Sequence, residues 1–398
     1  MHATLEYRPS GSLAKLLLKN AALNLITLTI YRFWAKTRVR QYFWHAVRLD
    51  GEPLEYTGLG RELLIGFLIV LAVLAPATLV WSTAQTLLHA DPVGLGIAQF
   101  VYFFVVYILI HAATFRARRY RLSRTRWRGI RAGQDGSTWR YVRLCLLWGL
   151  ASMATLGLAY PWMRIAQQRY LMNNTRFGDR PFSFGAPARP LLGSWLIVLV
   201  PTLLFYASLA GFFWGFWSIA PDDTEASKKY FTEAFSRRGG FLAAAAVFLV
   251  TLGVSWLWYR LAEFRYFAAH TRLGAVSVVS YARAWPILGR VILCLVVLAG
   301  FVLLVAALLT FGLSVVLNLF GRTGTAGALF PLSLLIAGLV AFLLRRFWWT
   351  LIVTTGVVRH ICETLEISGI EELSSISQTT APEQKYGEGL ADSFEVAG

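Results

Sequence analysis

Apolar runs of about twenty residues recur along this chain, and most of them lead into a basic, aromatic stretch. A helix needs roughly 20 apolar residues to cross a bilayer. No open sheet could satisfy its backbone in lipid, so such runs are predicted to be helices. The strongest lie at 62–88, 97–115, 191–219, 241–260, 287–318 and 326–357. Charged residues make up 15% of the 398, against about a quarter in a soluble domain. That is too little charge to cover a soluble surface, and the mean hydropathy of +0.55 agrees. The chain reads as a polytopic membrane protein. Its first residues show no small-residue cleavage site behind a short apolar core, so no cleaved signal peptide is expected.

A second pattern overlies the first. Tyr42 is followed six residues later by Arg48, and the same spacing returns at Tyr120/Arg126, Tyr170/Arg176 and Tyr266/Arg272, with a worn copy at His360/Glu366. Trp34, Trp162 and Trp258 stand eight positions before three of the tyrosines, and Thr27-Leu28, Thr155-Leu156 and Thr251-Leu252 seven positions earlier still. Fixed offsets of this kind indicate internal repetition. Asp50-Gly51 within the alternating segment His45–Gly58 predicts a short β-hairpin after the first tyrosine. Residues Asn174–Gly185 form a similar region after the third.

The net charge of +17 would point to nucleic acid in a soluble protein. Here the arginines flank apolar runs, seven of them between Arg116 and Arg128, which is the positive-inside signature. Anionic lipid is the nearer partner, and nucleic acid is not expected. If every Tyr/Arg element is cytoplasmic, the six strong runs pair as three out-and-back hairpins, and the C-terminus is cytoplasmic too. Residues 13–34 and 139–163 fit this only as re-entrant or half-helix elements, broken near Asn20/Asn24 and near Gly149, Ser152 and Gly157. Eight full spans, with one hairpin on the other face, is the rival. The expected architecture is thus an all-α polytopic protein of six to eight spans with short cytoplasmic β-hairpins. It divides into 1–135 and 136–285 as repeat units, 286–370 as a C-terminal helix pair with the degenerate copy, and 371–398 as a polar tail.

The stretch LTIYRFWAKTRVRQYFWHAVRLDGEPLEYTGLGRELLIGF resembles the signature of the YjgN-like bacterial inner-membrane proteins, a family of unknown function. The likeness continues through YRLSRTRWRGIRAGQDGS (Tyr120–Ser137) and ATLGLAYPWMRIAQQRY (Ala154–Tyr170), and ends in YGEGLADSFEVAG (Tyr386–Gly398). Departures are TLT where the family tends toward TLG, and the loss of Trp and Tyr from the last copy. The resemblance implies a multi-pass inner-membrane protein and carries no catalytic residues.

Little chemistry is signalled otherwise. The histidines His2, His45, His89, His111, His270 and His360 form no i, i+4 pair with an acidic partner, so no metal site is expected. His111 lies in an apolar run one turn from Arg116, which suits an interfacial hydrogen bond. Cys145, Cys294 and Cys362 are far apart and read as small core residues. Glu263, beside Arg260 and Arg265, reads as an interfacial ion pair. Nucleotide-binding and acyl-transfer motifs are absent, and neither an enzyme nor a cofactor is expected. The repeated residues have two readings. Tyr42, Tyr120, Tyr170 and Tyr266 with Arg48, Arg126, Arg176 and Arg272 could line a basic vestibule for an anionic solute or lipid. Alternatively they, with Trp34, Trp162 and Trp258, are interfacial anchors of a shared structural hairpin. Transport of a small, anionic solute and a non-transporting, lipid-interacting scaffold are the two functional expectations. Oligomeric state is left open.

Overall fold

The computed structural model describes residues 2–88, 91–217, 238–319 and 326–378, together with Glu225 and Lys229. The charge-balanced loop expected at 220–240 lies mostly outside them, as do Gly321–Thr325 and the chain beyond 378.

Helices come in antiparallel pairs. The first is α1 (Leu13–Ile26) with α2 (Arg32–Ala46), the second α3 (Gly60–Leu87) with α4 (Pro92–Ser123), and the third α5 (Thr138–Ala154) with α6 (Tyr160–Asn173). The fourth is α7 (Leu192–Trp217) with α8 (Arg238–Ala269). The fifth is α9 (Ala284–Leu319) with α10 (Ala326–Trp348), which continues through a π-helical turn, Trp349–Thr354, into α11 (Thr355–Thr364). Ring contacts run between the members of two long pairs: Trp81 stacks on Tyr102 and Phe205 on Phe248. Among the described residues, six helices are long and apolar enough to cross a membrane: Gly60–Leu87, Pro92–Ser123, Arg189–Ala210, Ala246–Ala269, Ala284–Leu319 and Leu329–Thr364. These match the six strong runs of the sequence.

The two short pairs explain the chain's parity. In α1–α2 the Thr27 hydroxyl donates to the Leu23 carbonyl (2.8 Å) and accepts from the Tyr31 N–H (3.0 Å), ending one helix and capping the next. Leu28 and Thr29 take up the reversal at φ 48° and 71°. In α5–α6 Thr155 makes the same two bonds, to the Ala151 carbonyl (2.8 Å) and from the Ala159 N–H (3.0 Å), with Leu156 at φ 49° and Gly157 at 88°. Each pair therefore folds back and returns the chain to the end it left. The break positions differ from those expected. Asn20 and Asn24 lie within α1, where Asn20 ties the pair together by donating to the Ala35 carbonyl (3.5 Å). Gly149 and Ser152 lie within α5, and of the residues expected at the breaks only Gly157 is at a turn. The third Thr-Leu, Thr251-Leu252, stays inside the unbroken α8. Apolar side chains crown both tips, with Leu28 84% and Leu156 71% exposed.

Neighbouring pairs pack in sequence order and close on themselves. Phe33 of α2 meets Leu63 of α3, Phe115 of α4 meets Tyr141 of α5, and Ile165 of α6 meets Phe267 of α8. Leu261 of α8 meets Ile287 of α9, and Leu13 and Phe43 of the first pair meet Phe347 and Leu351 of the fifth.

The strands do not remain separate hairpins. They are β1 (His2–Tyr7), β2 (Val47–Leu49), β3 (Glu52–Pro53), β4 (Glu55–Tyr56), β5 (Thr125–Trp127), β6 (Ile130–Gln134), β7 (Thr175–Phe177), β8 (Arg180–Pro181), β9 (Ser183–Phe184), β10 (Thr271–Leu273), β11 (Val276–Ser280) and β12 (Leu365–Ser368). They form a seven-stranded sheet, β3-β2-β1-β12-β11-β10-β9, and a five-stranded sheet, β4-β5-β6-β7-β8. Glu52–Tyr56 and Arg180–Phe184 pass from one sheet to the other. In each crossing segment the first half pairs with one neighbour and the second half with another: β2 then β5, and β7 then β10. Each carries a proline, Pro53 or Pro181, whose missing N–H interrupts the ladder at the corner. The result is a flattened barrel of antiparallel strands. Its core joins Leu273, Val276, Ile367, Leu5 and Leu49 of one sheet to Trp127, Ile130 and Phe177 of the other. Asp50-Gly51 (φ 52° and 77°) and Arg128-Gly129 (49° and 75°) turn two of its hairpins in the left-handed region that tight turns require.

Two features depart from the sequence reading. The amino-terminal strand β1 fills the place between β2 and β12, with Glu6 opposite Arg48 and Thr4 opposite Glu366. Residues 370–378, read from sequence as the start of a polar tail, instead seal the barrel. Leu373 and Ile376 are buried in its core, and Gln378 bonds the Gly129 carbonyl and the Arg131 N–H, each at 3.0 Å.

All strands thus gather at one end of the helix pairs. Single cysteines at the exposed turn positions Asp50, Arg128, Asp179 and Ala275, in a background lacking the three native cysteines, should respond alike to a membrane-impermeant maleimide on intact cells. Labelling of some but not others would overturn the one-sided arrangement.

Candidate functional site

The repeated residues meet where helix pairs join the barrel, and the tyrosines act within their own pairs. Tyr42 donates to the carbonyl of Gly11, just before α1 (3.4 Å), and Tyr170 to that of Ser137, the residue capping α5 (2.7 Å). Tyr266 donates to Pro187, ahead of α7 (2.8 Å), and Tyr120 to the Glu62 carboxylate in the first turn of α3 (2.6 Å). In the worn copy His360 Nε2 accepts from the Arg283 N–H, just before α9 (2.9 Å). Each aromatic or imidazole ring ties the last turns of its pair to the start of the same pair. The Trp residues are less uniform. Trp34 stacks on Tyr31 (6.3 Å) and Trp162 packs beside Ile165, whereas Trp258 is exposed.

The arginines do not converge. Arg48 on β2 and Arg272 on β10 belong to the seven-stranded sheet, with β1, β12 and β11 between them. Arg126 on β5 and Arg176 on β7 belong to the other. Side chains alternate along a strand, and Leu49, Leu273, Trp127 and Phe177 point to the core. All four arginines therefore lie on the two outward faces. Their partners differ as well. Arg48 stands opposite Glu6 and Arg126 opposite Glu55, and Arg176 pairs with Asp135 (3.4 Å). Arg272 stands between Ser183 and Ser277.

Two carboxylates organise the junction, Glu263 buried and Glu62 half-buried. Glu62, at the start of α3, receives Arg124 (2.6 Å) and Tyr120 from α4, which locks the second pair at its base. Glu263 on α8 is 2% exposed and is held by Arg260 and by Arg164 of α6 (2.6 and 3.4 Å). The expected partner Arg265 is exposed instead, because its place on the helix turns it from the third pair. Arg164 also donates to Gln167 (3.0 Å), whose amide contacts Cys145 Sγ on α5 (3.5 Å). This network joins the third and fourth pairs. His111 stacks edge-on against Tyr107 (4.4 Å), so its nearest partner is aromatic. At the seam between the fifth and first pairs, burial pushes the Tyr7 hydroxyl up to about 12, against the lowering pull of Arg359, whose guanidinium sits 5.6 Å from the ring.

One recess adjoins these features. It has a volume of about 440 Å³ and lies at the second barrel corner, lined by Asn173, Phe182, Ser183, Phe184, His270 and Arg272 among others. Sequence spacing singled out Arg272 alone of these. Asn173 and Ser183 carry no local signal, and only the strand crossing brings them together. Glu62 and Glu263 were detectable as rare acids at the borders of apolar runs, but Arg164 as the partner of Glu263 was not.

Six apolar helices of membrane-crossing length, arranged in pairs under a closed strand cap, define a multi-pass membrane protein. The chain belongs to a bacterial family: the model described as bacterial protein of unknown function (DUF898) matches residues 9–393. This agrees with the YjgN-like resemblance. No curated protein and no solved structure matches the chain.

Removing Arg164 strips the buried Glu263 of the partner that reaches both its oxygens and leaves it to the more exposed Arg260 alone, which is destabilising for a carboxylate held out of water. Arg164→Leu should therefore lower the melting temperature in detergent well below that of Arg265→Leu, which faces solvent. Equal melting temperatures for the two variants would show that the Arg164–Glu263 pair does not hold the third and fourth pairs together.

Proposed function

We propose that this protein is an inner-membrane, anionic-lipid-engaging scaffold, built by duplication of one helix-pair unit, with its strand cap on the cytoplasmic face. The carrying observation is how little the long helices bury one another. In none of the six is more than 22% of the most apolar stretch buried, and in Pro92–Ser123 none is. Exposed apolar side chains on helices of this length favour lipid on most sides over an enclosed, polar solute path.

A cationic collar supports the reading. Lys15, Arg61, Arg140, Arg189 and Arg283 are all exposed, and each sits in or just before the first turns of its pair's leading helix. Exposed Trp139 and Trp285 stand beside two of them. A basic residue near an anionic surface contributes about 1 kcal/mol, so five on one level make a headgroup-binding ring. The short pairs α1–α2 and α5–α6 are then re-entrant, their apolar tips Leu28 and Leu156 immersed from the capped side. Positive-inside logic places that side in the cytoplasm. Transport of an anionic solute is the second reading. It rests on the repeats, the re-entrant pairs and a shared arginine vestibule, and the last is weakened because Arg48 and Arg272 lie on one outward face and Arg126 and Arg176 on the other.

Replacing Lys15, Arg61, Arg140, Arg189 and Arg283 together by Gln should sharply reduce co-purifying phosphatidylglycerol and cardiolipin, measured by lipid mass spectrometry. Unchanged lipid retention, with solute-dependent flux in proteoliposomes, would favour transport and overturn the scaffold.

A further inference from the structure

We propose that the recess at the second barrel corner is a binding site for a small anion bearing a phosphoryl or carboxylate group, with Arg272 as its principal ligand. The argument begins with what the barrel does at the other three arginines. Each stands on an outward face with a carboxylate beside it: Glu6 opposite Arg48, Glu55 opposite Arg126, and Asp135 at 3.4 Å from Arg176. The two corners are built alike, each a crossing segment with a proline opposite an arginine, Pro53 opposite Arg48 and Pro181 opposite Arg176. At the first corner the segment then offers Glu55 to Arg126 of the next strand. At the second it offers Ser183 to Arg272. An acid thus stands beside the arginine at three positions, forming an ion pair with Arg176 while Glu6 turns to Arg8 (2.8 Å); at the fourth only serines stand beside it, and that place coincides with the recess.

The lining fits the same ligand. Asn173 accepts the Phe184 N–H through its Oδ1 (2.8 Å), so its amide N–H groups remain for another acceptor. Ser183 supplies a hydroxyl directly across the strand from Arg272. His270 lies 2.8 Å through Nδ1 from the Tyr266 carbonyl and lines the recess as well. None of the lining residues is acidic. Glu372, on the adjoining turn, is taken up by the Ala275 N–H. A planar guanidinium flanked by a hydroxyl and an amide recognises an oxyanion through charge-assisted, bidentate bonds. The recess, at about 440 Å³, has room for a small organic phosphate as well as the bare anion. Arg272 is not among the five collar residues, so this site can stand or fall apart from the lipid reading above.

The test uses the full chain. Inorganic phosphate and glycerol 3-phosphate are titrated calorimetrically into protein in neutral detergent. Protein in nanodiscs of phosphatidylcholine is compared with protein in nanodiscs containing phosphatidylglycerol. Two variants are read beside the wild type. Arg272→Gln removes the ligand, and Ser183→Glu installs the carboxylate that Glu55 supplies at the first corner. Loss of a charge-assisted bond is expected to weaken soluble-anion binding about tenfold or more in each variant, while the five-residue collar variant binds as the wild type does. If only phosphatidylglycerol association responds to the two variants, the anion is a lipid headgroup and the site stands. Binding undiminished in both variants at wild-type melting temperature, or no binding of any probe up to millimolar concentration, would overturn it.

Discussion

Every helix pair in this protein is closed at its base by a hydrogen bond between its last turns and its own beginning. Tyr42 with Gly11, Tyr120 with Glu62, Tyr170 with Ser137, Tyr266 with Pro187, and His360 with Arg283 perform the same task in five places. A single bond of this type contributes only about 1 kcal/mol. Its importance is positional. It sets the depth at which the second helix leaves the layer, and so the height at which the following strand starts. Twelve short strands can close into one cap only if those heights agree. The cap holds the helix bases together, since the long helices bury little of one another.

Charge follows the same division of labour. Outward arginines on the sheets and arginines at the junction look alike in sequence, yet they meet different surroundings. Arg124 and Arg164 pair with the carboxylates of Glu62 and Glu263 and hold helices in register. Arg48, Arg126 and Arg176 stand on the cap with acids beside them, whereas Arg272 faces two serines. A fixed Tyr-to-Arg spacing therefore encodes a shared scaffold, and the chemistry of each position comes from strands contributed by other parts of the chain.

This explains what could be read from the residues and what could not. The six long helices were legible because length and apolarity alone decide them in a bilayer. The tyrosine spacing pointed to the junction. The turns at Asp50-Gly51 and Arg128-Gly129 follow from residues that tolerate left-handed backbone, although only the first was foreseen. Strand pairing was not legible, since segments of two to six residues carry too little periodicity to name their partners. His2–Tyr7 pairs with residues more than 350 positions away, and no local pattern announces that. Thr-Leu shows the limit from the other side. It breaks the chain at Leu28 and Leu156, yet runs straight through α8 at Leu252, so the pair permits a reversal without dictating one.

The place of β1 has a consequence for biogenesis. A strand made within the first seven residues waits for partners at 365–368, which leave the ribosome only after every helix pair has been made. Until then the backbone edges of β1 and β11 that will face β12 stay open, and exposed edges invite wrong pairing. Membrane insertion of the helices can proceed pair by pair, whereas closure of the cap is a single late event of high contact order. The seam between β1 and β12 is thus the last part of the described cap that synthesis makes available.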